Sequence, residues 1–429
     1  LMETQAADNP DGLQYSATGS GYDEVYGDQS QIQAHWQYLL DGLKTLGVQG
    51  IRERQLKAER ILRDDGATYN SGSLSATTWQ LDPVPALISS EEWAGIEAGL
   101  QERAELLDLL LKDIYGNRDL IRLGILPPEL LYSHGGFLRA CDGLSLPGEH
   151  QLVMHATDMV RDLTGRMQVI GDRTQAPSGA GYALENRTVM SRVLPSLFRD
   201  SHVHRLSLFF QSLRLQLNSL ASSITNEQSR SVILTPGSYK ETYFEHTYLA
   251  NYLGFPLVQG SDLRVSKGYL WMKSLGGLER VDVVLRRVDD FYCDPVELKS
   301  DSRLGVPGLL EVVRAGRVIV ANPMGSGFLE NPALLRYLPR IASHFLGREP
   351  LLSSVKTYWC GDPQDLTYVI ENISRLVIKP CFRRPSEQSV FASSLDETQR
   401  QALIGKIRKE PLQFVAQEYI SPSTTPSWK

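Results

Sequence analysis

Apolar positions recur with a helical period through most of the first third of the chain. Between residues 30 and 46 they fall on one helical face, and residues 51–64 continue the pattern as a second helix. Ser89, followed three residues later by Glu92, is typical of a helix start, and a long amphipathic pattern comes after it. Residues 66–78 are polar and predict a loop. The first third is therefore predicted to be helical.

The pattern changes to short strands after residue 151. Residues 151–160 and 166–170 flank the polar turn Asp162-Leu163-Thr164-Gly165 and predict a hairpin. Further short apolar runs alternate with amphipathic helices, which indicates β-α-β units and a partly parallel sheet. The other predicted strands are 232–234, 256–258, 281–288, 318–320, 376–379 and 414–418, and the predicted helices among them are 203–221, 241–252 and 396–409.

Composition narrows the class of protein. The chain has 429 residues, which is too long for one core and predicts two or three domains. Its net charge of -6 argues against a nucleic-acid-binding protein, which normally has a basic face. The four cysteines form no C-x-x-C pair, and no apolar run reaches the ~20 residues that span a bilayer. Because the first residues are acidic, a signal peptide is not indicated, and the predicted location is the cytoplasm.

The segment from Val169 to Arg187 carries the clearest chemistry. An apolar strand leads to Asp172, a Pro-Ser-Gly-Ala-Gly turn that contains Ser178 follows, and Glu185-Asn186-Arg187 lies in the helical pattern after it. Such a segment brings backbone amides, carboxylates and a guanidinium group together. These groups suit a phosphate or a metal ion.

Asp158 and Asp172 fall on the two arms of the predicted hairpin. If both lie on one side of it, the two carboxylates suit Mg²⁺ coordination together with nucleotide phosphates. The alternative is structural: Asp172 caps the following turn, and Asp158 pairs with Arg161 or Arg187. Taken alone, these residues favour neither interpretation.

Further candidate groups follow other predicted strands. Arg286 and Arg287, with Asp289 close by, suit a carboxylate or phosphate ligand, whereas a surface ion-pair network is the common alternative. The turn after residues 232–234 also predicts a substrate pocket. The side chains predicted to frame this pocket are Tyr239, Glu245 and His246. A single histidine on a helix, however, is more often structural.

The last third contributes a lysine and a pair of polar residues. Lys379 ends an apolar strand, so its ammonium group either reaches a phosphate or extends to solvent. Gln417 and Glu418 end a later strand and offer acceptors to an adenine amino group. The motifs of common hydrolases, zinc proteases, P-loop proteins and dinucleotide-binding proteins do not occur in the chain.

Several motifs, in order along the chain, together resemble one family. They are Trp79-x-Leu81-Asp82-Pro83, Asp113-Ile114-Tyr115-Gly116, Gly135-Gly136-Phe137-Leu138-Arg139, the segment 172–187, Leu234-Thr235-Pro236-Gly237, Tyr243-Phe244-Glu245-His246 and Trp359-Cys360-Gly361-Asp362. Over most of its length the chain resembles the circularly permuted ATP-grasp family, which includes glutathionylspermidine synthetase and other carboxylate-amine ligases.

The resemblance implies an α+β, circularly permuted ATP-grasp fold and a ligase that uses ATP and Mg²⁺. A substrate carboxylate would take the γ-phosphoryl group, and an amine would attack the acyl phosphate to give an amide. The implied organisation is a helical N-terminal region at 1–145, ATP-grasp halves at 146–228 and 351–429, and an inserted, pre-ATP-grasp-like α/β substrate domain at 229–350.

The resemblance and the local patterns together assign roles to individual residues. Asp158 and Asp172 are the predicted metal ligands, and Arg286 and Arg287 are predicted to act on the substrate carboxylate. The predicted nucleotide-binding residues are Lys379, Gln417, Glu418 and Ser178. The predicted substrate-binding residues are Tyr239, Glu245, His246, Asp289, Glu185, Asn186 and Arg187.

The chain departs from the family at three places. Where relatives carry Glu-x-Asn for the metal, it has Gly171-Asp172-Arg173, and Pro332 stands in place of a second nucleotide lysine. Cys381-Phe382-Arg383-Arg384-Pro385 replaces a glycine-rich loop that covers phosphates in relatives. Two interpretations remain: an active ligase, or a catalytically degenerate homologue that serves as a binding or assembly partner.

Overall fold

The computed structural model describes residue 15 and residues 21–27, 31–69, 77–225, 229–382 and 387–428. Residue 30, at the predicted start of the first helix, lies outside this description. Residues 70–76 of the predicted loop also lie outside it, as do Arg383-Arg384-Pro385, which follow the predicted phosphate-binding Lys379.

The described residues form twelve α-helices. In the first third they are α1 (Ala34–Asp64), α2 (Ser90–Ile114), α3 (Asp119–Arg122) and α4 (Pro128–Tyr132). In the middle they are α5 (Ala180–Val193), α6 (Pro195–Asp200), α7 (Ser207–Ser222), α8 (Tyr243–Leu253), α9 (Leu309–Arg314) and α10 (Leu334–Leu346). The last two are α11 (Pro363–Asn372) and α12 (Glu397–Lys409).

The described strands form several small sheets. They begin with β1 (Thr68–Tyr69), β2 (Thr77–Thr78), β3 (Ala156–Arg161), β4 (Met167–Arg173), β5 (Ser231–Leu234), β6 (Leu257–Val258), β7 (Leu263–Ser266) and β8 (Tyr269–Ser274). They continue with β9 (Gly277–Arg280), β10 (Val283–Arg286), β11 (Ile319–Ala321), β12 (Thr357–Trp359), β13 (Leu376–Pro380), β14 (Val390–Phe391) and β15 (Phe414–Glu418).

The N-terminal region is helical, as predicted. The two helices predicted at 30–46 and 51–64 are the two halves of α1, which kinks at Gly47 with φ 64° and ψ 176°. Glycine adopts this conformation without a steric penalty, so the chain changes direction while both halves stay helical. The predicted start of α2 is confirmed: the Ser89 hydroxyl accepts a hydrogen bond from the Glu92 N–H at 3.2 Å. None of the described helices combines the length and apolarity needed to cross a membrane.

A parallel sheet with the strand order β11-β10-β5-β6 forms the centre of the molecule. Val232 and Leu234 of β5 pack towards α2, α9 and α10, whereas Ile233 packs towards α7 and α8. Successive side chains of a strand point to opposite faces, so a strand covered on both sides must be apolar throughout. This explains the continuous apolar runs that predicted these strands, and it confirms the mixed α+β class.

The C-terminal sheet is antiparallel, with the order β12-β15-β13-β14. One face packs on α11 and α12 through residues such as Ile378 and Ala416. On the opposite face Val415 joins the central core. The predicted hairpin is also confirmed, because β3 and β4 pair around a turn in which the Gly165 N–H donates to the Asp162 carbonyl at 3.0 Å.

Close packing of α2 against the chain before β12 can be tested with two glycines of the same helix. A Cβ atom on the buried Gly99 would lie 2.4 Å from Leu352 Cγ, whereas one on Gly95 would meet no heavy atom within 4 Å. We expect Gly99→Ala to destabilise the protein by about 1 to 3 kcal/mol through overpacking. Gly95→Ala, the matched control, should stabilise it by about 0.5 to 1 kcal/mol through helix propensity. Urea midpoints measure both effects, and equal midpoints would contradict this packing.

Candidate functional site

A cleft of about 190 Å³ opens where the β3-β4 hairpin meets the C-terminal sheet. Val169 of β4 fixes this arrangement, because its N–H donates to the Ser353 carbonyl and its carbonyl accepts from the Val355 N–H, both at 2.9 Å. The hairpin is thereby joined to the chain that leads into β12. The residues that line the cleft include Ile170, Gly171 and Arg173 of β4, Glu330 and Pro332 after β11, and Lys379 and Phe382 at the end of β13.

Two residues predicted to bind nucleotide meet at one hairpin carbonyl. The ammonium group of Lys379 lies 3.4 Å from the Ile170 carbonyl oxygen, and the Gln417 side-chain amide donates to the same oxygen at 3.3 Å. In the β13-β15 register Lys379 is paired with Val415, and Val377 with Gln417. Lys379 and Gln417 therefore share the face of the sheet that looks away from α11 and α12. The structure thus brings together the lysine predicted to contact phosphate, the glutamine predicted to contact adenine, and the acidic hairpin.

Asp172 is buried in an ion pair with an arginine of the N-terminal region. The Arg103 Nε and Nη2 atoms donate to its two carboxylate oxygens at 2.8 and 2.7 Å, and His155 Nε2 lies 2.9 Å from Oδ1. Burial by itself raises the pKa of the Asp172 carboxyl, but the hydrogen bonds from Arg103 and His155 outweigh it and lower the pKa to about 2. The Asp172 carboxylate is therefore already fully engaged, and it does not cap the following turn.

Asp158 lies on the other face of the hairpin. The register pairs it with Gly171 and pairs Thr157 with Asp172, so the two aspartates point in opposite directions. Asp158 Oδ2 accepts from Arg173 Nη2 at 2.9 Å, and both side chains are nearly half exposed. The two carboxylates therefore point to opposite faces of the hairpin, although both residues line the cleft, and Asp158 is paired with Arg173 rather than with Arg161 or Arg187.

These ion pairs do not fit the expected magnesium site. Asp172 is occupied by Arg103 and His155, and Asp158 is occupied by Arg173. Across the part of the chain that the structure describes, no three His, Cys, Asp or Glu side chains are placed to hold a metal ion. The positive charge next to Asp158 comes from the Arg173 guanidinium group and not from a metal ion.

Sequence reasoning missed the two partners of Asp172. Arg103 occupies a buried position of α2, where Gly99, Leu106 and Leu107 are also buried. A charged residue in the apolar stripe of a helix can predict a buried ion pair from the sequence, because an arginine is buried only when it is paired. For His155 the sequence offers no comparable signal.

Glu330 is a further acid in the cleft that was not predicted. Its Oε1 atom accepts hydrogen bonds from the backbone N–H groups of Thr174 and Gln175, both at 2.8 Å. Burial raises the pKa of the Glu330 carboxyl, while these two hydrogen bonds oppose the rise. Glu330 thereby holds the chain where it leaves β4, so it supports the wall of the cleft that carries Arg173.

His134 connects the N-terminal region to the end of β13. Its Nδ1 atom accepts from the Gly136 N–H, so Nε2 carries the proton and donates to the Cys381 carbonyl, each at 3.0 Å. Burial lowers the pKa of His134 to about 4, which keeps the ring neutral near pH 7. The ring also makes edge contacts with Phe328 and Phe382. It fixes the chain immediately after Lys379.

Sequence comparison identifies the family. The profile of circularly permuted ATP-grasp type 2 proteins matches residues 85–429, which includes the hairpin, the central sheet and the C-terminal sheet. The chain belongs to this family. The fold predicted from the ordered motifs is confirmed.

The relatives share most of this chain. An uncharacterized protein of Mycobacterium tuberculosis is 41% identical over 420 residues, which cover 95% of this chain and 47% of that protein. The chain thus spans about half the length of the mycobacterial proteins to which it is 41% identical. An uncharacterized Synechocystis protein is 35% identical over 423 residues, covering 97% of this chain and 87% of that protein.

A solved structure supports the fold alone. A glutathione synthetase-like effector from Globodera pallida, in its apo form, superposes with a TM-score of 0.58 at 12% identity. The superposition covers 86% of this chain and 81% of the effector. At this identity the comparison supports the ATP-grasp architecture and assigns no role to individual residues.

Two residues predicted to bind the substrate are structural parts of the central sheet. Arg286 is buried, and its guanidinium group donates to the carbonyls of Asn322 and Val288 at 2.7 and 2.9 Å and to the Ser326 hydroxyl at 2.8 Å. These contacts occupy the guanidinium group inside the protein, so its predicted role towards a substrate carboxylate stays a prediction. The same holds for His246, because its ring nitrogens lie 2.9 and 3.2 Å from the hydroxyls of Thr235 and Thr242. Burial lowers the pKa of His246 to about 3, and the ring is neutral.

Arg287 and Glu245 form a buried pair at the carboxyl end of the same sheet. Arg287 Nη2 donates to the Pro177 carbonyl at 2.6 Å and lies 3.7 Å from Glu245 Oε2. Glu245 Oε1 accepts from the N–H groups of Gly179 and Gly181 at 2.7 and 2.9 Å. Within the described chain, Nε and Nη1 of Arg287 and Oε2 of Glu245 have no hydrogen-bond partner. This pair therefore retains unused hydrogen-bonding capacity.

Most of the remaining predicted residues lie around this sheet and around α5, and Glu418 lies at the end of β15. Asn186 accepts a hydrogen bond from Trp79 Nε1 at 2.9 Å, and Arg187 is half-buried. Burial and the nearby Asp65 raise the pKa of Glu185.

The exposed predicted residues are Ser178, Tyr239 and Asp289. Glu418 accepts from the Tyr358 hydroxyl at 3.0 Å. In the described part of the chain, none of these residues lines the cleft.

The buried ion pair can be tested by removing the charge of Asp172. Asp172→Asn leaves Arg103 buried without its counter-charge, and we expect a loss of about 3 to 5 kcal/mol in the free energy of unfolding. Asp158→Asn is the matched control on the facing strand and should cost less than about 1 kcal/mol, because its ion pair is exposed. Urea unfolding at neutral pH measures both, and equal losses would contradict the assignment.

The stability difference between wild type and Asp172→Asn should depend on pH. The folded-state pKa of Asp172, about 2, lies below the ordinary value of 3.8. The stabilisation is therefore fully present above the unfolded-state pKa and is lost as the pH falls through 3.8 towards 2. Unfolding measured between pH 7 and pH 2 should show the two curves converging only at the acidic end. Convergence near neutral pH would show that another group is responsible.

Proposed function

We propose that the chain is an ATP-dependent carboxylate-amine ligase whose cleft between the hairpin and the C-terminal sheet binds the nucleotide. The observation that carries this proposal is the meeting of Lys379 and Gln417 at the Ile170 carbonyl. Lys379 and Gln417 are 209 and 247 residues from Ile170 along the chain. The three residues nevertheless converge at the edge of a cleft in an ATP-grasp chain. An ammonium group at that position would contact the nucleotide phosphates, and the β15 backbone next to Gln417 would contact adenine.

The Arg287-Glu245 pair supports a substrate site at the carboxyl end of the central sheet. Arg287 is buried and has two donor atoms without a hydrogen-bond partner in the described chain. Unsatisfied buried donors are costly, and a substrate carboxylate would satisfy one of them through a charge-assisted hydrogen bond. We assign the substrate carboxylate to Arg287, with Glu245 orienting the guanidinium group. The amine substrate and any likeness to glutathionylspermidine synthetase are assigned by the resemblance alone.

The proposed reaction balances in two steps. A carboxylate oxygen attacks the γ-phosphorus of ATP, and ADP leaves as the acyl phosphate forms. The amine nitrogen then attacks the acyl carbon, inorganic phosphate leaves, and one amine proton passes to solvent. The protein's part is to hold the carboxylate in line with the phosphoryl group.

A second candidate is a catalytically inactive ATP-grasp homologue that serves as a binding or assembly partner. The observation that favours it is the engagement of both predicted metal ligands, Asp172 by Arg103 and Asp158 by Arg173. If these ion pairs persist when nucleotide is added, neither carboxylate is available to a metal ion. The two candidates therefore predict different results in nucleotide titrations.

Calorimetric titration with ATP and magnesium tests the nucleotide site. We expect Lys379→Met to weaken ATP binding about tenfold or more, because it removes a charge-assisted contact worth roughly 1.5 to 3 kcal/mol. Methionine keeps most of the side-chain length, so the packing around β13 is retained. Lys44→Met, at an exposed position of α1 outside the cleft, is the control and should bind ATP like wild type. Equal ATP affinity in all three proteins would reject the placement of the nucleotide.

Hydroxylamine separates the ligase from the inactive homologue. It replaces the amine substrate and converts an acyl phosphate into a hydroxamate, which is detected by its ferric complex. We expect hydroxamate to form with ATP and a matching carboxylic acid. Arg287→Lys should reduce it at least tenfold, because a single ammonium group cannot hold the carboxylate and also keep the contact with the Pro177 carbonyl. ATP binding without hydroxamate across a broad panel of acids would favour the inactive homologue.

A further inference from the structure

The three-stranded meander β7-β8-β9 has two chemically different faces. Leu263, Leu270 and Met272 point inward and join the central core. The register places Arg264 opposite Trp271, and Trp271 opposite Arg280, so these three side chains form a row across the outer face. We call the outer set the basic face. Its members are Arg264, Tyr269, Trp271, Lys273 and Arg280 of the meander and the neighbouring Arg317 before β11.

The charge of this face is opposite to that of the whole chain. Arg264, Lys273 and Arg317 are exposed, and none of them forms an ion pair within the described residues. Arg280 alone is paired, with Asp282 at 3.0 Å. Four cations thus face one carboxylate in a chain of net charge -6. A region of uncompensated positive charge on an acidic protein attracts anionic partners and fixes their position.

The aromatic rings hold the cations in place. The guanidinium groups of Arg280 and Arg317 lie over the Tyr269 ring at 4.5 and 5.1 Å from its centroid, and Arg317 Nη1 also donates to the Tyr269 hydroxyl at 3.1 Å. Trp271 Nε1 donates to the Ser266 carbonyl at 2.9 Å, which fixes the indole on the sheet. Less side-chain entropy is lost when a ligand binds to groups that are already ordered.

We propose that the basic face binds an acidic, extended polypeptide segment of a partner protein. In an extended chain alternate side chains lie roughly 6.8 Å apart on one side, so an acidic segment presents a row of carboxylates on one side. Arg264 and Arg280 lie on β7 and β9, on either side of β8, so two strand spacings put them roughly 9.5 Å apart. Carboxylates at alternate positions of such a segment would therefore meet the cations of this sheet.

The same observations disfavour nucleic acid as the partner. Base stacking needs an open aromatic face, but guanidinium groups lie over the Tyr269 ring. A net charge of -6 also repels a long polyanion outside the immediate contact. A short acidic segment senses only the local field, because screening limits the field to about 8 Å at physiological salt.

The basic face is separate from the cleft. In the described structure none of its residues lines the cleft, and the meander packs on the core with its opposite side. The inference does not depend on ligase activity, and it holds for an inactive homologue as well. Nucleotide binding should be unchanged when the face is altered.

The test uses the whole chain and a short fluorescent polyglutamate peptide in anisotropy titrations at low salt. We expect saturable binding that weakens as salt is raised towards about 0.15 M. Arg264→Glu combined with Lys273→Glu should weaken it about tenfold or more. Arg52→Glu combined with Arg63→Glu makes the same change of net charge on the exposed side of α1 and should change it less than about threefold.

Three results would overturn the proposal. The first is an absence of polyglutamate binding, and the second is equal weakening by both charge-reversal pairs, which would indicate bulk charge alone. The third is tighter, face-dependent binding of a single-stranded oligonucleotide, which would assign the face to nucleic acid. Arg264→Gln combined with Lys273→Gln removes the two charges without reversing them, and it tests whether misfolding of the charge-reversal variant causes its weaker binding. With wild-type melting temperature and ATP affinity, this variant should still bind polyglutamate several-fold more weakly.

Discussion

The buried ion pair between Arg103 and Asp172 is the constraint on which the cleft depends. Two charges removed from water are tolerated only when their hydrogen bonds are satisfied, and here both carboxylate oxygens and two guanidinium nitrogens are used. Arg103 Nη1 also donates to the Ser354 hydroxyl, and the neighbouring Glu102 accepts from the Leu351 N–H. One turn of α2 therefore holds both the hairpin and the chain that leads into the C-terminal sheet.

This constraint shapes the chemistry of the site. An aspartate that anchors a helix to a hairpin does not at the same time serve as an open metal ligand, so the cleft differs from the carboxylate arrangement expected of the family. Asp158 is held only by an exposed ion pair with Arg173, which contributes little stability and exchanges readily. The positive groups at the cleft, Lys379 and Arg173, come from two sheets that Val169, α2 and His134 hold together.

Local patterns were sufficient for most elements of the fold. The hairpin, the parallel strands, the kinked first helix and the capped start of α2 follow from periodicity, turn residues and capping, which act over a few residues. They also placed Lys379 and Gln417 on two predicted strands, which the structure pairs in one sheet. They were insufficient for side-chain roles: Arg286 and His246 were predicted to bind substrate, yet both are used inside the protein.

The sequence by itself determined the family, the order of the helices and strands and the positions of the acidic hairpin and the cleft lysine, because ordered motifs and hydrophobic periodicity are local properties. Only the tertiary structure decided which charged side chains are buried in ion pairs that stabilise the fold. Asp158 and Asp172 look alike in the sequence, but the strand alternation turns them to opposite faces. One meets an arginine 69 residues away along the chain and is buried, and the other stays near solvent. Burial and partner choice depend on contacts between distant segments, which no local pattern encodes.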